Sequence, residues 1–235
     1  MLKASRQPDG SPEIFYSVQG EGLNLGKPAI FLRLALCNLA CTWCDTRYTW
    51  DWQQYDHEEQ VLEISKEYIQ RQILGYNCQY LVITGGEPML QQKQILPLLD
   101  CLKDKSFYIE IETNGTVIPD PDLASFVDHW SVAPKLQNSG NPLPLREIPQ
   151  VYRYFTGLAT SHFKYTINDE DDFEEVRGIM QKYGIMPERT YLMPQATDRD
   201  SLLERSGWLV ELCKRHGCLF STRLQVLLWG DRRGV

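Results

Sequence analysis

The sequence has no apolar run of membrane-spanning length, no excess of positive charge, and only four histidines in 235 residues. The first absence excludes a helix that crosses a bilayer, so no membrane association is expected. The second bears on nucleic acid. With 24 basic against 31 acidic residues the formal net charge is −7. A nonspecific nucleic-acid binder needs a basic face to displace phosphate counterions, so no direct contact with nucleic acid is expected. The histidines, His57, His129, His162 and His216, are scattered and suggest no metal cluster. The segment from Met1 to Pro8 has no hydrophobic stretch behind it, which reads as no signal peptide and a cytoplasmic location. There is no internal repeat and no low-complexity tract.

What is present is ordinary for a globular chain: 43% apolar and 23% charged residues. The length suffices for a substantial core, and residues 1–235 are read as a single domain. Seven cysteines is an odd number, and three of them fall within eight residues. Disulfide frameworks belong to small secreted domains, so free thiolates in a reducing compartment fit better.

Strand-like and helix-like runs alternate. Residues 30–36, 80–84, 107–111, 130–132, 162–167 and 190–193 read as strands, and residues 224–229 close the series. Asp56 to Glu59 resembles a capping box, with Val61, Ile64, Tyr68 and Ile69 following at helical spacing before a stop at Gly75. Further helices are expected over 91–103, over 171–183 with a stop at Gly184, and in a run ending at His216. Such alternation implies right-handed βαβ units. The expected fold is α/β, an open, partial β/α barrel of about six mostly parallel strands, short of the eight of a closed barrel. Residues 137–157, rich in Pro, Asn and Gly, read as an irregular insertion. Most of the six tryptophans are expected in the core.

The strongest local signal is Cys37-Asn38-Leu39-Ala40-Cys41-Thr42-Trp43-Cys44, a Cys-x3-Cys-x2-Cys loop after a strand. Thiolate is the soft ligand that iron–sulfur clusters use, and these spacings let one loop wrap three corners of a cube. No fourth cysteine lies nearby, so one iron would stay open to a substrate, unlike a ferredoxin. A zinc site completed by a distant Cys or His is the alternative, although zinc ligands usually come as Cys-x2-Cys pairs. The remaining cysteines, Cys78, Cys101, Cys213 and Cys218, read as structural.

This spacing, with an aromatic residue before the last cysteine, resembles the signature of radical S-adenosylmethionine (SAM) enzymes. Thr84-Gly85-Gly86-Glu87-Pro88 is similar to the Gly-Gly-Glu-Pro turn that meets the amino group of SAM in that superfamily; glycine permits such close approach. Four further segments point more narrowly. They are the run from Ile14 to Gly22, Asp45-Thr46 after the last cysteine, Glu112-Thr113-Asn114-Gly115-Thr116, and Ala133-Pro134-Lys135. With a tail reading Trp229-Gly230-Asp231-Arg232-Arg233-Gly234-Val235, they resemble the 7-carboxy-7-deazaguanine synthases of queuosine and deazapurine biosynthesis.

That resemblance implies a [4Fe–4S] cluster on Cys37, Cys41 and Cys44, with Mg²⁺ on Thr46. It implies SAM contacts from Trp43, Cys44, Asp45, Gly86, Ala133, Pro134 and Lys135. Substrate contacts would come from Val18, Gln19, Gly20, Arg33 and Thr84. A planar guanidinium suits a carboxylate, whereas the alternative for Arg33 is a salt bridge at the barrel rim. The implied reaction starts from one-electron reduction of SAM. It converts 6-carboxy-5,6,7,8-tetrahydropterin to 7-carboxy-7-deazaguanine with loss of ammonia. An electron donor such as flavodoxin or ferredoxin and a homodimer are implied too. The alternatives are a radical SAM activase that makes a glycyl radical on a partner protein, and a non-catalytic iron–sulfur electron carrier. Two residues depart from the family pattern: Leu36 stands where Gly is common, and Ala133 where Ser is.

Overall fold

The computed structural model describes residues 1–235, apart from the side chain of Lys103. The ten strands are β1 (Leu2–Ser5), β2 (Ile14–Val18), β3 (Pro28–Leu34), β4 (Val61–Ile64), β5 (Tyr80–Gly85), β6 (Tyr108–Thr113), β7 (His129–Val132), β8 (Ser161–Ile167), β9 (Thr190–Pro194) and β10 (Leu219–Phe220). They form one open sheet in the order β10-β9-β8-β7-β6-β5-β3-β1-β4, with β2 also paired to β3. From β3 to β10 every pairing along this path is parallel. β1, β2 and β4 are antiparallel additions. The open, mostly parallel barrel is as expected, with seven parallel strands rather than about six.

Side chains alternate between the two faces of a strand, and the alternation explains where chemistry can sit. On one face Ile30, Leu32, Ile83, Ile111, Trp130, Phe163, Tyr165 and Leu192 join the main core under the helices. Those helices cover the sheet with apolar stripes at helical spacing: Ile69 and Ile73 on Lys66–Leu74, Ile95, Leu98 and Leu99 on Gln92–Leu102, and Phe173, Val176 and Ile179 on Glu170–Tyr183. The other face is the concave interior. Its floor is a small cluster of Phe15, Ala29, Phe31, Tyr80 and Val82. Beside and above this floor, toward the strands' C-terminal ends, the residues in register with these positions turn polar.

Several local readings change. Residues 56–69 do not form one helix. Asp56 caps a single turn, His57–Gln60, by accepting from Glu58 N at 2.8 Å. Val61 and Ile64 then run as β4 beside β1, and Ser65 caps a second helix that ends at Leu74 before Gly75. Pairing of all four residues with β1 overrode the helical spacing. Residues 224–229 are a helix, Leu224–Trp229, and the last parallel strand is instead Leu219–Phe220. Residues 137–157 contain the helices Leu143–Arg146 and Pro149–Gly157, each with proline in its first turn, where a missing N–H costs nothing. Gly184 and Gly217 end their helices at φ 68° and 71°, as a left-handed cap requires. Among the described residues no helix is long and apolar enough to cross a membrane.

Candidate active site

A cavity of about 290 Å³ opens at the C-terminal ends of the parallel strands. Its wall includes all three motif cysteines, and Trp43, Asp45, Thr46, Gly86, Ala133, Lys135, Val18, Gln19, Gly20, Arg33 and Thr84 as well. Of the residues expected to hold the cluster, Mg²⁺, SAM or substrate, Pro134 alone is not part of that wall.

The cysteine loop leaves β3 through Leu36, which sits at φ 74°. That left-handed conformation costs a side-chain-bearing residue roughly 1–2 kcal/mol, which is why glycine suits the position. Leu36 is pinned there by its N–H to Thr49 O (2.7 Å) and its carbonyl to Glu87 N (2.8 Å). The glycine turn then packs onto the same backbone. A Cβ on Gly85 would come within 2.0 Å of Leu34 O, and one on Gly86 within 2.1 Å of Leu36 O. The glycines therefore press the turn against the cysteine loop as well as admitting a ligand.

Each motif sulfur meets an N–H. Asn141 Nδ2 donates to Cys41 Sγ at 3.2 Å, Trp50 Nε1 to Cys44 Sγ at 3.3 Å, and Leu39 N to Cys37 Sγ at 3.5 Å. Such donors suit thiolates that carry charge to a cluster. Burial pushes the Cys37 thiol up to about 12 and raises that of Cys41. Holding these sulfurs deprotonated thus calls for a bound cation. Among the described residues no three His, Cys, Asp or Glu converge on a single-ion position. Three separate thiols spread along a loop match the corners of a cluster better than one zinc ion. The residues present fit the [4Fe–4S] group.

Glu87 holds the two glycine-bearing turns together. It is fully buried, and accepts from Thr113 Oγ1 (2.7 Å), Asn114 N (2.6 Å) and Met89 N (3.0 Å). Burial raises its carboxyl above the usual range, against those hydrogen bonds. Beside the cysteine loop, Trp43 Nε1 donates to Asn138 Oδ1 at 3.1 Å, and Lys135 Nζ lies 5.6 Å from the Trp43 ring centroid. Ala133 has its N–H on Thr113 O (2.7 Å) and its carbonyl on Lys135 Nζ (2.8 Å), so its backbone is already engaged. Asp45 pairs with Arg223. Thr46 Oγ1 stands 3.6 Å from Cys44 Sγ.

The opposite wall is strongly ionic. Arg33, on β3, gives its Nε to Glu13 Oε1 at 2.9 Å, so the rim salt bridge exists. Glu13 is itself buried and also accepts from Tyr48 OH at 3.2 Å. Among the described residues no protein group accepts from the two Nη nitrogens of Arg33, and the side chain lines the cavity. A carboxylate-sized fork is therefore left facing the space. Thr84 is not a free hydroxyl; it donates to Glu112 Oε2 at 2.8 Å. Nor is Gln19 free, being 2% exposed with its amide bound to protein.

Sequence reasoning missed the other half of this wall. Glu112 lies 3.6 Å from Lys164 Nζ, which bonds Glu21 Oε2 at 2.5 Å. Glu21 also accepts from Arg223 Nε (3.2 Å) and Gln225 Nε2 (2.6 Å). Burial opposes its charge, yet Lys164 and Arg223 hold its carboxyl well below the usual range. Two of the supposedly scattered histidines meet as well, His129 Nε2 lying 3.2 Å from His162 Nδ1. The signal was polar alternation, as in Glu110-Ile111-Glu112 and His162-Phe163-Lys164-Tyr165-Thr166. Of the tryptophans, Trp130 is core, Trp43 and Trp50 line the cavity, and Trp52 and Trp229 are exposed.

The Radical SAM superfamily profile matches residues 34–133. The 7-carboxy-7-deazaguanine synthase of Pyrobaculum aerophilum is 36% identical over 222 residues, covering 94% of this chain and 95% of its own. The synthase of Hyperthermus butylicus is 32% identical, with 92% and 91% covered. Among solved structures, QueE from Escherichia coli superposes with a TM-score of 0.69 at 26% identity, covering 94% of both chains. Streptococcus suis SuiB bound to S-adenosylmethionine shares the fold alone, with a TM-score of 0.54 at 14% identity. On the cysteine loop, the glycine turn and these relatives together, the chain belongs to the 7-carboxy-7-deazaguanine synthase family of radical SAM enzymes.

Proposed function

We propose that the protein converts 6-carboxy-5,6,7,8-tetrahydropterin to 7-carboxy-7-deazaguanine with loss of ammonia. The observation that carries this is the pairing of two unlike walls in one cavity: three N–H-bonded thiols on one side, an unoccupied guanidinium fork with a Glu112–Lys164 pair on the other. A bicyclic substrate bearing one carboxylate and several ring N–H groups needs a cation at one end and acceptors elsewhere. Arg33 would take the carboxylate, held in aim by Glu13 and Tyr48. Glu112, 3.6 Å from Lys164 Nζ, would accept from the ring.

When bound, the cluster supplies the electron that cleaves SAM, with Cys37, Cys41 and Cys44 as its protein ligands. The chain's own part is to place SAM and substrate side by side and to exclude water. Trp43, Lys135 and the glycine turn, which line the same cavity, would hold SAM. Thr46, which lines the cavity, would offer its hydroxyl oxygen to Mg²⁺, an oxygen-seeking ion that would supply charge stabilisation there. Residues 1–235 would act as one domain within a homodimer, and a small carrier such as flavodoxin or ferredoxin would deliver the electron. Anaerobic turnover with the carboxy-tetrahydropterin, SAM, reductant and Mg²⁺ tests the reading. Formation of 7-carboxy-7-deazaguanine supports it; SAM cleavage without that product on the authentic substrate refutes it.

A further inference from the structure

Behind the pocket, on the concave face, lies an ionisable group that the reaction does not use. Glu110 sits on β6 two residues before Glu112, is 1% exposed, and takes no part in the cavity wall. Four donors converge on it. Its Oε1 accepts from Gln19 Nε2 at 2.8 Å; its Oε2 accepts from Tyr80 OH at 2.6 Å and Asn24 Nδ2 at 2.6 Å, and faces His129 Nδ1 at 2.8 Å. Behind His129, the second ring nitrogen meets His162. A carboxylate so supplied with donors stays ionised, and an ionised carboxylate can only accept.

Gln19 is the connection to the pocket. Its Nε2 also reaches Glu112 Oε1 at 3.3 Å, and its Oε1 accepts from Glu21 N at 3.2 Å. Because both carboxylates are pure acceptors, the nitrogen end of the amide must stand between them. Both amide N–H groups of Gln19 are thereby committed to the two carboxylates, and its donors are spent. What it does is link two like charges on one strand face, one buried and one lining the cavity, which would otherwise repel.

We propose that Glu110, held by His129, is a positioning residue: through the Gln19 amide it fixes the aim of the Glu112 carboxylate into the substrate pocket. This rests on the proposed pterin chemistry and assigns Glu110, His129 and Gln19 to substrate affinity and not to SAM. Glutamine at 110 keeps one acceptor oxygen, which the three donors from Tyr80, Asn24 and His129 claim, so its amide nitrogen faces Gln19 and the bridge to Glu112 must turn or break.

The test uses reconstituted holoenzyme and measures KM for the pterin and for SAM separately. Glu110→Gln is expected to raise the pterin KM about tenfold, the worth of one charge-assisted hydrogen bond, with the SAM KM unchanged. Gln19→Leu should do the same, and the double variant should be no worse than the poorer single one, because both cut the same relay. His129→Leu, which strips one donor and leaves the carboxylate, should give a smaller rise and serves if Glu110→Gln does not fold. A pterin KM unchanged in both Glu110→Gln and Gln19→Leu overturns the proposal, as do multiplicative effects in the double variant or a parallel rise in the SAM KM. A parent enzyme inactive on the pterin would instead strike at the proposed function. The relay is then judged from the structure of Glu110→Gln, where an unmoved Gln19 and Glu112 refute it.

Discussion

Asn141 and Cys41, a hundred residues apart in sequence, meet with the amide Nδ2 donating to the thiol sulfur at 3.2 Å. The same asparagine accepts from Ala40 N at 2.9 Å, so one side chain both shapes the loop and tunes its middle sulfur. N–H donors to a cluster sulfur stabilise its more negative state and raise the reduction potential. Asn141→Ala should therefore lower the midpoint potential measured by anaerobic titration, and cost about 10–100-fold in cluster retention or activity, as loss of such supporting contacts does. An unchanged potential with a full cluster complement would remove Asn141 from that role.

Arg33 is expected to bind through the fork that Glu13 leaves free. Arg33→Lys keeps a charge beside Glu13 but cannot make the two-pronged contact, so pterin affinity should fall by about 1.5–3 kcal/mol, tenfold or more in KM. SAM binding, measured by calorimetry, should stay as in the parent. Equal pterin affinity in the two proteins would leave Arg33 as a rim salt bridge alone.

The features legible in the sequence are those that are contiguous. The cysteine loop and the glycine turn each need neighbouring residues, so spacing alone disclosed them. Even the odd Leu36 was visible as a departure, though its strained φ of 74° was not. The ionic wall was illegible for the opposite reason. Glu21, Glu112, Lys164 and Arg223 come from a loop, two strands and the start of the last helix, and only the parallel stacking of the sheet gathers them. β1 and β4 escaped notice because four-residue strands carry too little pattern, and Val61 and Ile64 fit a helix as well as a strand. Reading polar alternation in β6 and β8 as a functional face, and not as a solvated one, would have recovered Glu112 and Lys164.

Half-buried His162 offers a test of the histidine pair by pH. Burial, with the His129 ring and Arg189 nearby, lowers its pKa from 6.5 to about 4. The unfolded chain then takes up a proton near pH 6.5 while the folded one resists until about pH 4. Stability attached to this group is complete above pH 6.5 and lost as pH falls toward 4. Urea unfolding across that window should show the parent weakening with acid more steeply than His162→Gln. Parallel pH profiles would mean that His162 titrates alike in both states.

Thr46 carries the magnesium question. Its hydroxyl lies beside Cys44 Sγ and lines the cavity, while its carbonyl caps the following turn by accepting from Thr49 N (2.9 Å) and Thr49 Oγ1 (2.8 Å). The backbone role does not depend on the side chain, so the hydroxyl can be removed without undoing the turn. If the hydroxyl oxygen ligates Mg²⁺, Thr46→Ser keeps the donor and should keep the magnesium response. Thr46→Ala should retain the cluster and SAM affinity, yet need about tenfold more Mg²⁺ for half-maximal turnover, comparable to losing one hydrogen bond to a charged group. Activity measured against Mg²⁺ concentration for the three proteins separates the cases. A collapsed loop would lose cluster, SAM affinity and turnover together, whereas a lost ligand shifts the magnesium curve alone. If the Thr46→Ala curve overlays that of the parent, the ion must take its protein oxygen from elsewhere. Glu112 would then be the first of the cavity carboxylates to substitute, ahead of Glu13, Glu21, Asp45 and Asp231, which line the same space.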